Sequence, residues 1–313
     1  MTNIFRDYNQ AGLDAEYNNR LKVPESPDML RAGAERSAKA RTEIPGRLNV
    51  SFGPDAEETL DIFLATTDAP PIANSGPAPI QVFIHGGYWR MMHKDDFSYV
   101  ARVFTPRGCA TVVINYGLIP AIHMDELVRQ CRAALAWIHR NAASFAGDPE
   151  QIFISGHSAG GHLVAMMMAT DWPRFDALSP TLPVDLVKGG CGISGLYDLE
   201  PIRLCFLNQE LKLDPEAVAR NSPLALAPRG PGTLLLAVGS EEGPEYRRQS
   251  EDLAAAWRRH GIAVEVLVLA GQNHFTIVEQ LGDPEAALSR LILDQMGRGT
   301  GPWTGRKFGQ KIT

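Results

Sequence analysis

Apolar residues along this chain fall into short continuous runs separated by longer stretches with helical spacing. Pro79–His85 (PIQVFIH) and Cys109–Asn115 (CATVVIN) are apolar almost throughout, as strands buried on both faces of a parallel sheet must be. Gln151–Ser155, Val187–Gly192, Thr233–Val238 and Val264–Leu269 repeat the pattern. Between the runs, Asp125–Asn141 places Leu127, Cys131, Leu135 and Ile138 on one helical face. Gly160–Thr170, Pro244–His260 and Pro284–Met296 read as further helices. Strands alternating with helices at this spacing predict an α/β fold with a mainly parallel, doubly wound sheet flanked by helices.

The ends of the chain carry weaker patterns. Residues 1–45 are polar, with helix-compatible pieces around Pro27 to Ala40, and predict a helical N-terminal extension that is a candidate lid. Two modest strands, Arg47–Phe52 and Thr59–Ala65, lead into a Pro-rich linker, DAPPIANSGPAP. Residues 46–297 are expected to form the main domain. The tail, 298–313, reads as loosely ordered, with Trp303 and Phe308 able to pack back on the body.

Charge and composition narrow the class. The net charge of -6 over 313 residues is spread without a basic stretch, which argues against a nucleic-acid partner. No apolar run approaches the ~20 residues that span a bilayer, and the polar, acidic N-terminus does not read as a signal peptide. The 4 cysteines form no CxxC pair. They are expected to be reduced, buried thiols, and the protein cytoplasmic.

Chemistry enters at Gly156-His157-Ser158-Ala159-Gly160, a G-x-S-x-G pattern between a predicted strand and a predicted helix. A tight strand-to-helix turn strains its central residue and holds a serine hydroxyl exposed above the sheet. The helix that follows points its N-terminus at the same spot, so the Ala159 N–H would meet developing negative charge. His85-Gly86-Gly87-Tyr88-Trp89 follows another predicted strand. Its glycine pair would let the N–H groups of Gly87 and Tyr88 approach an oxyanion. His85 precedes the nucleophile and is expected to order this loop.

A serine nucleophile needs a neutral imidazole within hydrogen-bond reach. Of 8 histidines, His162, His260 and His274 follow Ser158. His162 lies on the post-nucleophile helix and His260 beside a helix end. His274, in the loop GQNHF after the last strand, is the expected base. The orienting carboxylate should follow Thr233–Val238, where Glu241, Glu242 and Glu245 compete. Glu242 is preferred and Glu241 second; Glu245 reads as a first-turn helix carboxylate, and Asp198 as ordering its own loop.

HGGYW together with GHSAGGHL resembles the esterase branch related to hormone-sensitive lipase, within the α/β-hydrolase fold. SGLYDLEPI (Ser194–Ile202), NSPL (Asn221–Leu224) and GPEYRRQSEDL (Gly243–Leu253) are similar to segments of kynurenine formamidases, or arylformamidases. The resemblance runs from about Pro79 to Glu279. It implies cleavage of N-formylkynurenine to kynurenine and formate, by a Ser-Asp-His triad with no metal or organic cofactor. The triad then falls on Ser158, Glu242 and His274, with Glu242 where the family usually carries Asp.

The expected activity is hydrolysis of a small acyl group from an aryl amide or ester through an acyl-enzyme on Ser158. Trp89, Tyr197, Tyr246 and Phe275, together with Tyr88, are candidates to stack an aromatic substrate. A carboxylesterase or another amidase is the alternative. A non-catalytic binding protein on the same scaffold is a third reading, against which no catalytic position carries an inert residue. Analogy also suggests a homodimer contact through the final helix and its edge strand.

Overall fold

The computed structural model describes residues 2–66, 76–175 and 182–299. Trp303, Phe308 and most of the Pro-rich linker lie outside the described residues. Eight strands, β1 (Gly46–Ser51), β2 (Thr59–Phe63), β3 (Ala78–Ile84), β4 (Ala110–Ile114), β5 (Gly147–His157), β6 (Val187–Ile193), β7 (Thr233–Gly239) and β8 (Val264–Leu269), form one sheet. Their order is β1-β2-β4-β3-β5-β6-β7-β8. β1 and β2 pair antiparallel at one edge, and β2 joins β4 antiparallel. Every other pairing is parallel.

Alternate side chains of each central strand enter opposite apolar layers, since successive Cβ atoms point to opposite faces. Ile80, Val82 and Ile84 join the core beneath the helices Met124–Asn141 and Ala159–Met168, whereas Phe83 joins the layer that holds Leu288 and Ile292. This two-sided burial explains the continuous apolar runs of the sequence. The four cysteines are free and buried. Among the described residues no helix is long and apolar enough to cross a membrane.

The strand order reverses at β3. The chain moves from β3 out to β4, then returns to the other side of β3 as β5. Loops leaving β3 and β5 therefore diverge and open a crevice at their carboxyl ends. Ile84 pairs with Gly156 and His157 with Ile193, so the strands end level. β5 runs two residues past the expected Ser155, because β3 and β6 both continue pairing with Gly156 and β6 also pairs with His157.

The first 45 residues contain three helices, α1 (Gln10–Tyr17), α2 (Asn19–Lys22) and α3 (Ser26–Glu43). Side chains of Asn9 and Asn18 cap the first two, accepting from Gly12 N and Leu21 N. α3 is anchored where Arg41 meets Asp61 of β2, a fully buried carboxylate that Lys94 also pairs at 2.9 Å.

Candidate active site

The hydroxyl comes from the turn that joins β5 to its following helix. Ser158 has φ 57° and ψ -117°, a left-handed conformation that costs a non-glycine residue on the order of 1–3 kcal/mol. Neighbouring strands enforce it: Ser158 N–H donates to Ile193 O at 2.8 Å. Gly160 must lack a side chain, because a Cβ there would stand 2.0 Å from Ile84 O. The turn can thus press against β3 while Ser158 Oγ faces the crevice.

His274 follows β8 in a loop held by Asn273, whose side-chain oxygen accepts from Phe275 N at 2.9 Å and Thr276 N at 3.0 Å. Its Nδ1 lies 2.7 Å from Glu242 Oε2, and its Nε2 lies 3.1 Å from Ser158 Oγ. A carboxylate only accepts, so Nδ1 carries a proton, and in the neutral tautomer the bare Nε2 faces the serine hydroxyl. Glu242 is itself anchored, its Oε1 accepting from Gly239 N at 2.7 Å and Ser194 Oγ at 2.5 Å.

The competing acids have other occupations. Glu241 is exposed, and its N–H bonds Gln272 O. Glu245 accepts from Tyr17 Oη and Arg248, and Asp198 pairs with Arg248 at 3.1 Å. Of the histidines other than His274, His162 lies buried behind the site, and its ring is pushed down to about 4 by burial. It accepts the Trp89 indole N–H on Nδ1 at 3.1 Å and donates from Nε2 to Asn221 O at 2.7 Å. His157 packs 4.7 Å from the His274 ring, and burial, followed by that neighbour, holds it well below the usual imidazole range.

The loop after β3 holds positive φ over three residues, 105° at Gly87, 50° at Tyr88 and 59° at Trp89, and the strain rests on the two that are not glycine. Gly87 is obligatory, since a Cβ would meet Met91 O at 2.1 Å. His85 donates from Nδ1 to Gly86 O at 2.8 Å and stacks on Tyr116 at 4.2 Å, while Tyr116 Oη donates to His85 O at 2.7 Å. Among the described residues, the N–H groups of Gly87, Tyr88 and Ala159 bond no protein acceptor.

A cavity of about 490 Å³ opens above Ser158 and His274, walled by Tyr88, Met91, Phe97, Phe206 and Phe275. Residues of the N-terminal helices, among them Asn19, Met29 and Leu30, also line it. Of the five aromatic residues proposed to stack a substrate, Tyr88 and Phe275 line this space. Trp89, Tyr197 and Tyr246 do not: each is fully buried behind the wall. Trp89 is occupied by His162, Tyr197 fills the space that a side chain on Gly192 or Gly195 would take, and Tyr246 bonds the N-terminal segment. Proximity to the motifs in sequence could not separate a pocket wall from the packing beneath it. Asn19, Ser194 and Asn221 carry no sequence signal that sets them apart from ordinary polar residues, although Ser194 and Asn221 lie within the family-like segments.

Fold and site define a class: this is a serine hydrolase of the α/β-hydrolase fold. Residues 60–199 match the family model described as BD-FAE. The chain is 31% identical to the kynurenine formamidase of Danio rerio and 33% identical to that of Salmo salar, each over 86% of this chain and 87% of the relative. A solved candidate thioesterase from Silicibacter sp. tm1040 superposes with a TM-score of 0.75 at 28% identity, covering 88% of this chain and 97% of its own. The chain belongs to the kynurenine formamidase family.

Proposed function

We propose that this protein is an arylformamidase, with Ser158 as nucleophile, His274 as general base and acid, and Glu242 as the carboxylate that orients the imidazole. One observation carries the reading: the unbroken relay Glu242–His274–Ser158, at 2.7 and 3.1 Å, at the floor of a largely apolar cavity.

In the proposed reaction, Ser158 Oγ attacks the formyl carbon as its proton passes to His274 Nε2. The imidazolium is stabilised by Glu242, whose position is already set by Ser194 and Gly239. The carbonyl oxygen becomes an oxyanion and takes N–H bonds from Gly87, Tyr88 and Ala159, groups that have no competing partner within the described protein. When the tetrahedral adduct collapses, the C–N bond breaks and His274 protonates the departing aryl amine. Water, deprotonated by His274, then attacks the formyl carbon of the serine ester, and His274 returns that proton to Ser158 Oγ as the C–O bond breaks and formate leaves. The aromatic and thioether side chains of the cavity wall suit an aryl leaving group.

Turnover of N-formylkynurenine compared with short aryl esters such as p-nitrophenyl acetate tests the substrate class. The expected result is preferred cleavage of the formamide, with both activities abolished in Ser158→Ala. Ester turnover with no cleavage of the formamide would make the protein a carboxylesterase instead.

A further inference from the structure

The N-terminal segment reaches the site through one buried side chain. Asn19 is 6% exposed. Its Nδ2 lies 2.7 Å from Tyr246 Oη and 3.1 Å from Tyr88 Oη. The two phenols are 2.8 Å apart, and Tyr88 Oη is 2.8 Å from the backbone carbonyl of Tyr17.

Counting protons fixes the direction of each bond. A carbonyl only accepts, so the single Tyr88 hydroxyl proton goes to Tyr17 O. The Tyr246 proton then goes to Tyr88 Oη, and the two amide protons of Asn19 supply the remaining contacts. Four protons fill four contacts. With the amide turned over, two contacts would have no proton, so the network accepts Asn19 in one orientation only.

Both phenols lead to the reaction centre. Tyr88 belongs to the left-handed stretch Gly87–Trp89, whose backbone would relax if nothing held it. The Tyr246 ring packs 4.8 Å from the His274 ring. We propose that Asn19 is a positioning residue for hydrolysis. It holds the oxyanion loop in its strained form and the ring beside the general base in place, which makes the N-terminal segment a fixed wall of the active site. The inference rests on the catalytic reading of Ser158, His274 and the Tyr88 N–H.

The test uses Asn19→Leu, which removes both amide protons at similar volume, and Asn19→Asp, which keeps the shape should the first variant fail to fold. Rates are expressed per active site, titrated with a fluorophosphonate. The expected result is a 10- to 100-fold fall in kcat that exceeds any change in KM, since Asn19 also borders the cavity. A trifluoromethyl ketone, captured as a tetrahedral adduct, should lose affinity by a similar factor. In a Tyr88→Phe/Tyr246→Phe background the Asn19 substitution should add less than about twofold. Unchanged kcat per titrated site, whatever happens to Tm, would overturn the inference, as would the full effect persisting in the doubly substituted background. Failure of the wild-type protein to label at Ser158 would instead remove the catalytic reading on which it stands.

Discussion

Ser194 donates its hydroxyl to Glu242 at 2.5 Å, on the carboxylate oxygen opposite the one that faces His274. The carboxylate is therefore gripped from both ends, and Ser194 helps set where the His274 imidazole can sit. Glu has one more rotatable bond than Asp. The Ser194 contact and the Gly239 N–H at 2.7 Å offset that freedom.

Ser194→Ala should lower kcat by on the order of tenfold, since charge-assisted hydrogen bonds contribute about 1.5–3 kcal/mol. KM should change little, because Ser194 does not line the cavity. Steady-state kinetics on an aryl formamide checks both halves.

Removing the charge should cost far more. Glu242→Gln presents an amide that can donate to Nδ1 and turn the imidazole to the wrong tautomer, with an expected fall in kcat on the order of 10³–10⁴-fold. Glu241→Gln, on an exposed side chain, should stay within about twofold. If the two variants exchanged these outcomes, Glu241 would be the orienting acid.

Gly87→Ala forces a Cβ to within 2.1 Å of Met91 O at a φ of 105°. The loop must shift, and the Gly87 N–H proposed as an oxyanion donor shifts with it. A fall in kcat of about 10²–10³-fold is expected, with retained far-ultraviolet circular dichroism separating local displacement from unfolding.

Stability should fall in acid. Burial pushes His85 and His162 down to about 4 from an ordinary value of 6.5. Between those limits the unfolded chain binds more protons than the native one, so stability is complete above about pH 6.5 and drains away toward pH 4. The loss is on the order of 2–3 kcal/mol per ring. Urea denaturation across this range should show it, and His162→Gln should flatten the slope while lowering stability at neutral pH.

Much of the architecture was legible because it is written locally. Strands buried on both faces must be apolar throughout, so the sequence marks the interior strands β3 to β7 without any knowledge of their pairing. The Ser158 turn and the Gly86-Gly87 pair were equally visible, since their constraints act between residues a few positions apart. α1 and α2 were not, because they are short and owe their ends to single Asn caps.

What the chain by itself determined was the set of chemical groups and the order in which the sheet would present them. Tertiary structure alone decided which carboxylate faces His274, which aromatic rings border the cavity, and that Asn19 reaches across to Tyr88 and Tyr246. Those choices depend on where strand ends level off and on which buried polar atoms find partners, and both arise from residues far apart in sequence. A contact between positions 19 and 246 leaves no period or spacing along the chain. It exists only because a folded interior must satisfy each hydrogen-bonding group it encloses.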